Sequence, residues 1–386
     1  MSEPEASDPG AVRTPLTGLL GIRYPVVQAA MGYVSGPRLT AAVSDAGGLG
    51  LIASATMSLA ELEKAIEETA GRTPRPFGVN LRADAPDAAE RARLIVTRRV
   101  PVASFAQAPK PELIAALKDA GVVTIASVGA RRHAEKAAGW GIDAVIATGG
   151  EGGGHVGAVP TSLLVPQVAA AVDIPVIAAG GFFDGRGLVA ALAWGAAGIA
   201  MGTRFLLTSD SPVADAVKQV YLSADLDGTV VTRRVDGVPH RVLRTTMVDQ
   251  LEVRGRAGRA GRAGKVRRAG WAGQVGSAGG LATLVRSARN AAAFRGLSGM
   301  GWREMLRQGR DMRRDTGLSW GQVLMAANTP VLLRAAMVEG RTDLGLMSSG
   351  QVAGLIGDLP SCAELIESIM AEAGRTLDRL AAAREA

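Results

Sequence analysis

The chain has 386 residues, 47% of them hydrophobic and 20% charged, with 43 Lys and Arg against 36 Asp and Glu for a formal charge of +7. That length fits one large α/β domain with an appendage, or two modest domains. No uncharged apolar run reaches membrane-spanning length, so no membrane partner is expected, and the one cysteine, Cys362, excludes an intramolecular disulfide framework and fits a reducing, cytoplasmic compartment.

Residues 1–17 open with MSEPEASDPGAVRTP, polar and acidic with no apolar core, which reads as a flexible tail and not as a signal peptide. From Tyr24 the chain repeats a strand-then-helix unit. The apolar runs are Tyr24–Met31, Leu49–Ala53, Pro76–Leu81, Val100–Ala106, Val122–Ser127, Asp143–Gly149, Pro175–Gly181 and Gly198–Thr203. They are short, partly β-branched and apolar throughout, as parallel strands buried on both faces should be. Helical patterns lie between them. Ser58 and Glu61 form a capping-box pattern followed by Leu59, Leu62, Ile66 and Thr69 on one face, with Gly71 as the expected stop. Pro111 marks another helix start, with Leu113, Ile114 and Leu117 as its buried stripe and Gly121 after it. Eight such alternations in about 180 residues predict a (β/α)8 TIM barrel over residues 18–222, with an open doubly wound sheet as the alternative. Barrel chemistry gathers at the C-terminal strand ends, where Met31, Asn80, Ser104, Ser127, Gly180, Gly181, Gly202 and Thr203 fall.

Beyond Pro212 the pattern changes. Residues 223–280 are expected to hold a hairpin, DLDGTVVTRRVDGVPHRV, and then an Arg/Gly-rich insertion, while residues 281–386 read as a helical lid and C-terminal segment packing on the barrel. The basic excess is local, with fifteen Lys and Arg against two acids between Val253 and Arg314. Aromatic residues suited to base stacking are sparse there and no nucleic-acid-binding motif appears, so nucleic acid is a disfavoured partner. An adaptor docked through that basic arm is the rival from a different functional class.

The stretch Gly149–Gly157, GGEGGGHVG, follows the sixth run. It lacks the Lys of a P-loop and the spacing of a dinucleotide fingerprint. Its glycines let a flat ligand approach the backbone, with the His155 imidazole beside it. The ends of the seventh and eighth runs, AAGG and MGTRF, place small residues where barrels hold phosphate; Thr203 adds a hydroxyl and Arg204 a charge. No metal-ligand cluster, hydrolase triad or carboxylate pair is evident, and His133 and His240 read as surface or loop residues. One histidine beside a glycine-lined phosphate site suits a flavin. Cys362 reads as a buried small hydrophobe, and Trp320 and Met325 as core.

The motifs GIRYPVVQAAM, SDAGGLGLI, PFGVNL, GGEGGGHVG, LVPQVAAAVDIPVIAAGG, GAAGIAMGTRF and SSGQVAGLIGDLPSCAELI, taken in order, resemble the nitronate monooxygenase (2-nitropropane dioxygenase) family of FMN-dependent barrels, which includes flavin-dependent enoyl-ACP reductases. The resemblance implies FMN held at Ala29, Ala30 and Met31, at Asn80 and Ser127, at Glu151 and Gly154, at Gly180 and Gly181, and at Met201, Gly202 and Thr203 around the phosphate. It implies His155 as the catalytic acid/base. The main implied activity is oxidation of alkyl nitronates with O2. The alternative is NAD(P)H-dependent reduction of an acyl thioester, enoyl-ACP or steroid-derived acyl-CoA. The loop reading HVGAVPTSLLVPQV favours the latter, and the basic segment looks similar to actinobacterial homologues acting on CoA thioesters, with arginines there suited to CoA phosphates. A homodimer is admitted.

Overall fold

A computed structural model describes residues 12–106, 109–235, 237–249, 252, 329–330, 332–342 and 345–385. The basic insertion, Trp320 and Met325 therefore lie outside the described residues.

All eight expected runs form strands: β1 (Val26–Gln28), β2 (Gly50–Ala53), β3 (Phe77–Leu81), β4 (Val102–Phe105), β5 (Val123–Val128), β6 (Ala144–Thr148), β8 (Val176–Ala179) and β9 (Gly198–Met201), with the two-residue β7 (Gly154–His155) outside the barrel. They pair in parallel in the order β1-β9-β8-β6-β5-β4-β3-β2. The sheet closes on itself through a parallel bridge between Val27 and Leu49, where Gln28 N donates to Leu49 O and Leu49 N to Val26 O, both at 2.9 Å. Closure removes the free edges that an open sheet would expose, and the fold is a TIM barrel.

Side chains alternate between two cores. Leu51, Val102, Ile125, Ile146, Ile177 and Ala200 fill the interior. Their neighbours Ile52, Ala103, Ala126, Val145, Ala178 and Ile199 face the helices. Between consecutive strands run α2 (Pro37–Asp45), α3 (Leu59–Arg72), α4 (Ala88–Thr97), α5 (Pro111–Asp119), α6 (Arg131–Gly139), α7 (Thr161–Ala169) and α8 (Gly185–Ala193). The Ser58–Glu61 capping box forms as read, with Glu61 N donating to Ser58 Oγ and Ser58 N to the Glu61 carboxylate. Gly71 does not end α3; the helix continues to Arg72 and stops at extended Thr73.

Three departures matter for the site. First, the boundary expected at residue 17 falls inside α1 (Pro15–Leu20), which Thr14 caps reciprocally with Thr17. Thr14 Oγ1 also donates to Ala197 O at 2.7 Å, and fully buried Leu16 plugs the N-terminal end of the barrel. Second, the ring's eighth helix is missing after β9, where only the four-residue α9 (Thr203–Leu206) follows, then α10 (Asp215–Leu222) and a hairpin of β10 (Thr229–Thr232) and β11 (His240–Leu243). Third, the last helix, α11 (Cys362–Glu385), packs on the barrel as the C-terminal segment was expected to, but against its outer helices and not over its mouth. It packs between α8 and α2, the place the eighth helix of the ring should occupy. Gly185 N donates to Glu372 Oε2 at 2.8 Å, and a Cβ at Gly185 would stand 2.3 Å from Ile369 O.

That contact gives a stability test. Gly185→Ala should lower unfolding free energy by about 1–3 kcal/mol through overpacking. Gly374→Ala on α11, whose added methyl meets nothing within 4 Å, should be neutral or stabilising by up to about 1 kcal/mol. Chemical denaturation of both variants checks the pair.

Candidate active site

Barrel alternation carries polar residues to the mouth. Interior Leu51, Val102, Ile125 and Ile146 are each followed two positions later by Ala53, Ser104, Ser127 and Thr148 on the same face. Asn80 joins this ring through its register with Ala53 and Ser104, and its Nδ2 donates to Ser104 Oγ at 3.3 Å. Ala29, Ala30 and Met31 continue β1 into the mouth, half-buried, with Ala29 N donating to Met201 O at 2.9 Å and Met31 N to Ser35 Oγ at 2.9 Å. The Met201 side chain turns outward into the helix-facing core, so only its backbone borders the mouth.

The glycine loop is held by groups distant in sequence. Glu151 accepts from Thr161 N at 2.9 Å and Thr161 Oγ1 at 2.7 Å, which places a carboxylate at the N-terminus of α7. A Cβ at Gly149 would stand 2.0 Å from Thr161 Oγ1 and one at Gly180 2.8 Å, so these two glycines admit Thr161. Gly181 differs: with φ +83° and Glu151 Cβ 3.6 Å away as its nearest neighbour, it presents open backbone. Gly202 is similar, since a Cβ there would meet nothing closer than Met31 Sδ at 3.5 Å.

Thr203 Oγ1 accepts from Gly350 N at 2.9 Å, tying the C-terminal segment to the end of β9. The expected charge beside it is absent. Arg204 is buried, with Nη1 on Asp358 Oδ1 at 2.7 Å and Nη2 on Leu207 O at 3.2 Å, and burial lowers its pKa against the pull of Asp358. Its guanidinium anchors the approach to α11 and does not serve the mouth.

His155 lies on β7, exposed, and pairs with His240 of β11. His240 is not the surface residue expected from sequence. It is 3% exposed, its ring centroid lies 4.7 Å from that of His155 at an interplanar angle of 50°, and its Nε2 is 2.8 Å from Ser348 Oγ. The next residue, Arg241, donates from Nε and Nη2 to Gly150 O at 3.1 and 2.9 Å and from Nη1 to Thr229 Oγ1 at 2.9 Å. Desolvation lowers its pKa, partly offset by the Glu151 charge. Residues 347–351 complete the frame: Leu243 N donates to Met347 O at 2.9 Å and Gln351 N to Glu151 O at 3.0 Å. Gly153 lies so close to this segment that a Cβ would stand 2.7 Å from Gly350 N. His133 is exposed on α6, as expected.

Sequence reasoning thus found the strand ends and the loop but not Thr161, His240, Arg241 or Ser348. The two Asp-Gly pairs, one before β10 and one between β10 and β11, were the available signal, since they put His240 and Arg241 on a strand.

The sequence model of the nitronate monooxygenase family matches residues 13–98 and 90–372. The chain belongs to that family. Among its relatives, a Mycobacterium tuberculosis protein is 57% identical over 94% of this chain and 96% of its own length, and a Rhodococcus jostii protein 53% identical over 97% and 99%. Both are named (3aS,4S,5R,7aS)-5-hydroxy-7a-methyl-1-oxo-octahydro-1H-indene-4-carboxyl-CoA dehydrogenase. Among solved structures, FabK from Thermotoga maritima superposes with a TM-score of 0.74 at 34% identity, covering 96% of this chain and 99% of that one. As a nitronate monooxygenase family member the chain is an oxidoreductase, and flavin is the cofactor general to the family. The mouth fits such a group, with open backbone at Gly181, room above Gly202 and the amide of Asn80 on one rim. No helix among the described residues is long and apolar enough to cross a membrane, and no group of three metal-ligating side chains occurs among them.

Cys362 is fully buried at the start of α11, and burial with the nearby Asp210 charge pushes its thiol up to about 12. A group raised this far stays neutral across the working range. Native protein at pH 8 should therefore resist iodoacetamide, whereas guanidinium-unfolded protein should take up one equivalent, read by mass spectrometry.

Proposed function

We propose that the chain is an FMN-dependent oxidoreductase acting on a CoA thioester of a bicyclic hydroxy acid, the kind of substrate for which the M. tuberculosis and R. jostii relatives are named. The supporting observation is the extent of that likeness, above 50% identity across nearly the whole of each chain. This favours the acyl-thioester alternative over nitronate oxidation, and it favours the dehydrogenase direction over reduction. The family description supports the nitronate reading.

Bound FMN supplies a two-electron acceptor or donor. The chain's residues supply the rest. The backbone at Ala29–Met31, Gly181 and Gly202 and the Asn80 and Ser127 side chains would form its cradle, and the N-terminus of α9 and the Thr203 hydroxyl would hold its phosphate. Gly180 contributes backbone, since Thr161 fills its side-chain space. Glu151 acts indirectly, because its carboxylate is engaged with Thr161 and fixes the loop. Gly154, at φ +77°, turns the chain so that His155 emerges beside the mouth. His155 is then the group that moves a proton to or from the substrate, a role that contributes about 10²–10⁴-fold in rate. The hairpin and residues 346–355 shape the entrance above it.

Anaerobic stopped-flow absorbance at the flavin band tests this reading. The relatives' bicyclic hydroxyacyl-CoA should bleach the flavin, and His155→Ala should slow that step about 10²–10⁴-fold while retaining bound FMN. Bleaching by a primary nitronate alone would return the chain to nitronate oxidation. Bleaching by NADH or NADPH, with transfer to an unsaturated thioester, would mark a reductase. A colourless protein that takes up no FMN would overturn the flavin reading.

A further inference from the structure

The imidazole of His155 is not set by its own strand. β7 is two residues long, it lies in a run of glycines, and Gly154 is in the left-handed region. An exposed side chain there would sample several rotamers unless a neighbour restricts it. Directly across the β7–β11 bridge stands His240, with 4.7 Å between ring centroids.

His240 is itself held firmly. Its Nε2 is 2.8 Å from Ser348 Oγ. Ser348 pairs with Val242 by an antiparallel bridge, and its carbonyl accepts from the Tyr221 hydroxyl at 2.7 Å. A line therefore runs from Ser348 through His240 to His155, built from three segments far apart in sequence. Packing alone does not call for an imidazole here, because a buried ring with two polar nitrogens is harder to accommodate than an apolar side chain of similar volume. The charged side chains of the loop and of β11 are engaged on other partners: Arg241 on Gly150 and Thr229, Glu151 on Thr161.

We propose that His240 is a positioning residue for His155: its ring fixes the orientation of the exposed imidazole, and Ser348 fixes the orientation of His240. The proposal rests on His155 as the proton-transferring group. It places a determinant of the reaction on the hairpin, outside the barrel strands and the glycine loop. Displacing a reacting group by about an ångström can cost about 10²-fold in rate, so a ring contact of this kind has a measurable consequence.

The chain's three histidines make the test direct. In full-length, flavin-free, histidine-labelled protein, His240→Ala should shift the His155 ring resonances by removing the neighbouring ring current. His240→Phe should keep most of that shift, and Ser348→Ala should alter it in part. In FMN-loaded protein reacting with the relatives' hydroxyacyl-CoA, His240→Ala should lower kcat roughly 10- to 100-fold with KM within about twofold. His240→Phe should recover most of the loss. A flavin-replete His240→Ala protein with wild-type kcat, or unmoved His155 resonances, would overturn the proposal. If His240→Ala does not fold, Ser348→Ala decides, and wild-type resonances and kcat in that variant overturn it equally. Failure of the wild type to take up FMN is read separately and bears on the cofactor, while the flavin-free resonances still report the contact.

Discussion

The site depends on immobilising a loop that has little tendency to be ordered. Six of the nine residues in Gly149–Gly157 are glycine. Fixing each backbone costs about 1–2 kcal/mol in conformational entropy, with glycine at the upper end. Local turns cannot offset that. The tethers come from elsewhere: the Glu151 carboxylate on the α7 N-terminus, the Arg241 guanidinium on Gly150 O and the Gln351 amide on Glu151 O. Two of the three involve a charged group, and hydrogen bonds to charged groups contribute about twice as much as neutral ones. The position of His155 is therefore a property of the hairpin and the C-terminal segment as much as of the barrel.

The last ring helix is accordingly found far along the chain. Residues 207–361 intervene between α9 and α11, and the described parts of that insertion cross from the end of β9 toward the mouth before α11 returns to the ring. Both ends of the insertion are tied to the barrel. Thr203 accepts from Gly350 N, and Arg204 pairs with Asp358 while Ser209 N donates to Pro360 O. A buried arginine with one exposed acidic partner is a modest source of stability. Its value is geometric, since it fixes where the chain leaves the mouth and where α11 begins.

The fold was legible because its signals are local. Parallel strands buried on both faces read as short apolar runs whatever surrounds them, and all eight runs became strands. The Ser58–Glu61 pair gave a helix start for the same reason, and Ser361 with Glu364 carries the same signature at the head of α11. What was not legible depends on distant partners. Nothing beside His240 in sequence says that it is buried against His155, because the partner is 85 positions away and the register is set by the hairpin. Nor does the sequence around Arg204 announce Asp358. Gly71 failed as a stop signal because extended Thr73 ended the helix instead.

Glycine richness at a barrel mouth also proves to have two separable meanings, and only the coordinates of the neighbours tell them apart. Gly149 and Gly180 are small because Thr161 occupies their side-chain space, and Gly153 because Ser349 and Gly350 do. These glycines serve the protein's own packing. Gly181 and Gly202 have no such occupant, so their bare backbone is available to something the chain does not itself provide. A ligand surface is thus marked not by the density of glycines but by those whose missing side chain nothing else replaces. Here two of them lie at the ends of β8 and β9, beside the loop that presents His155.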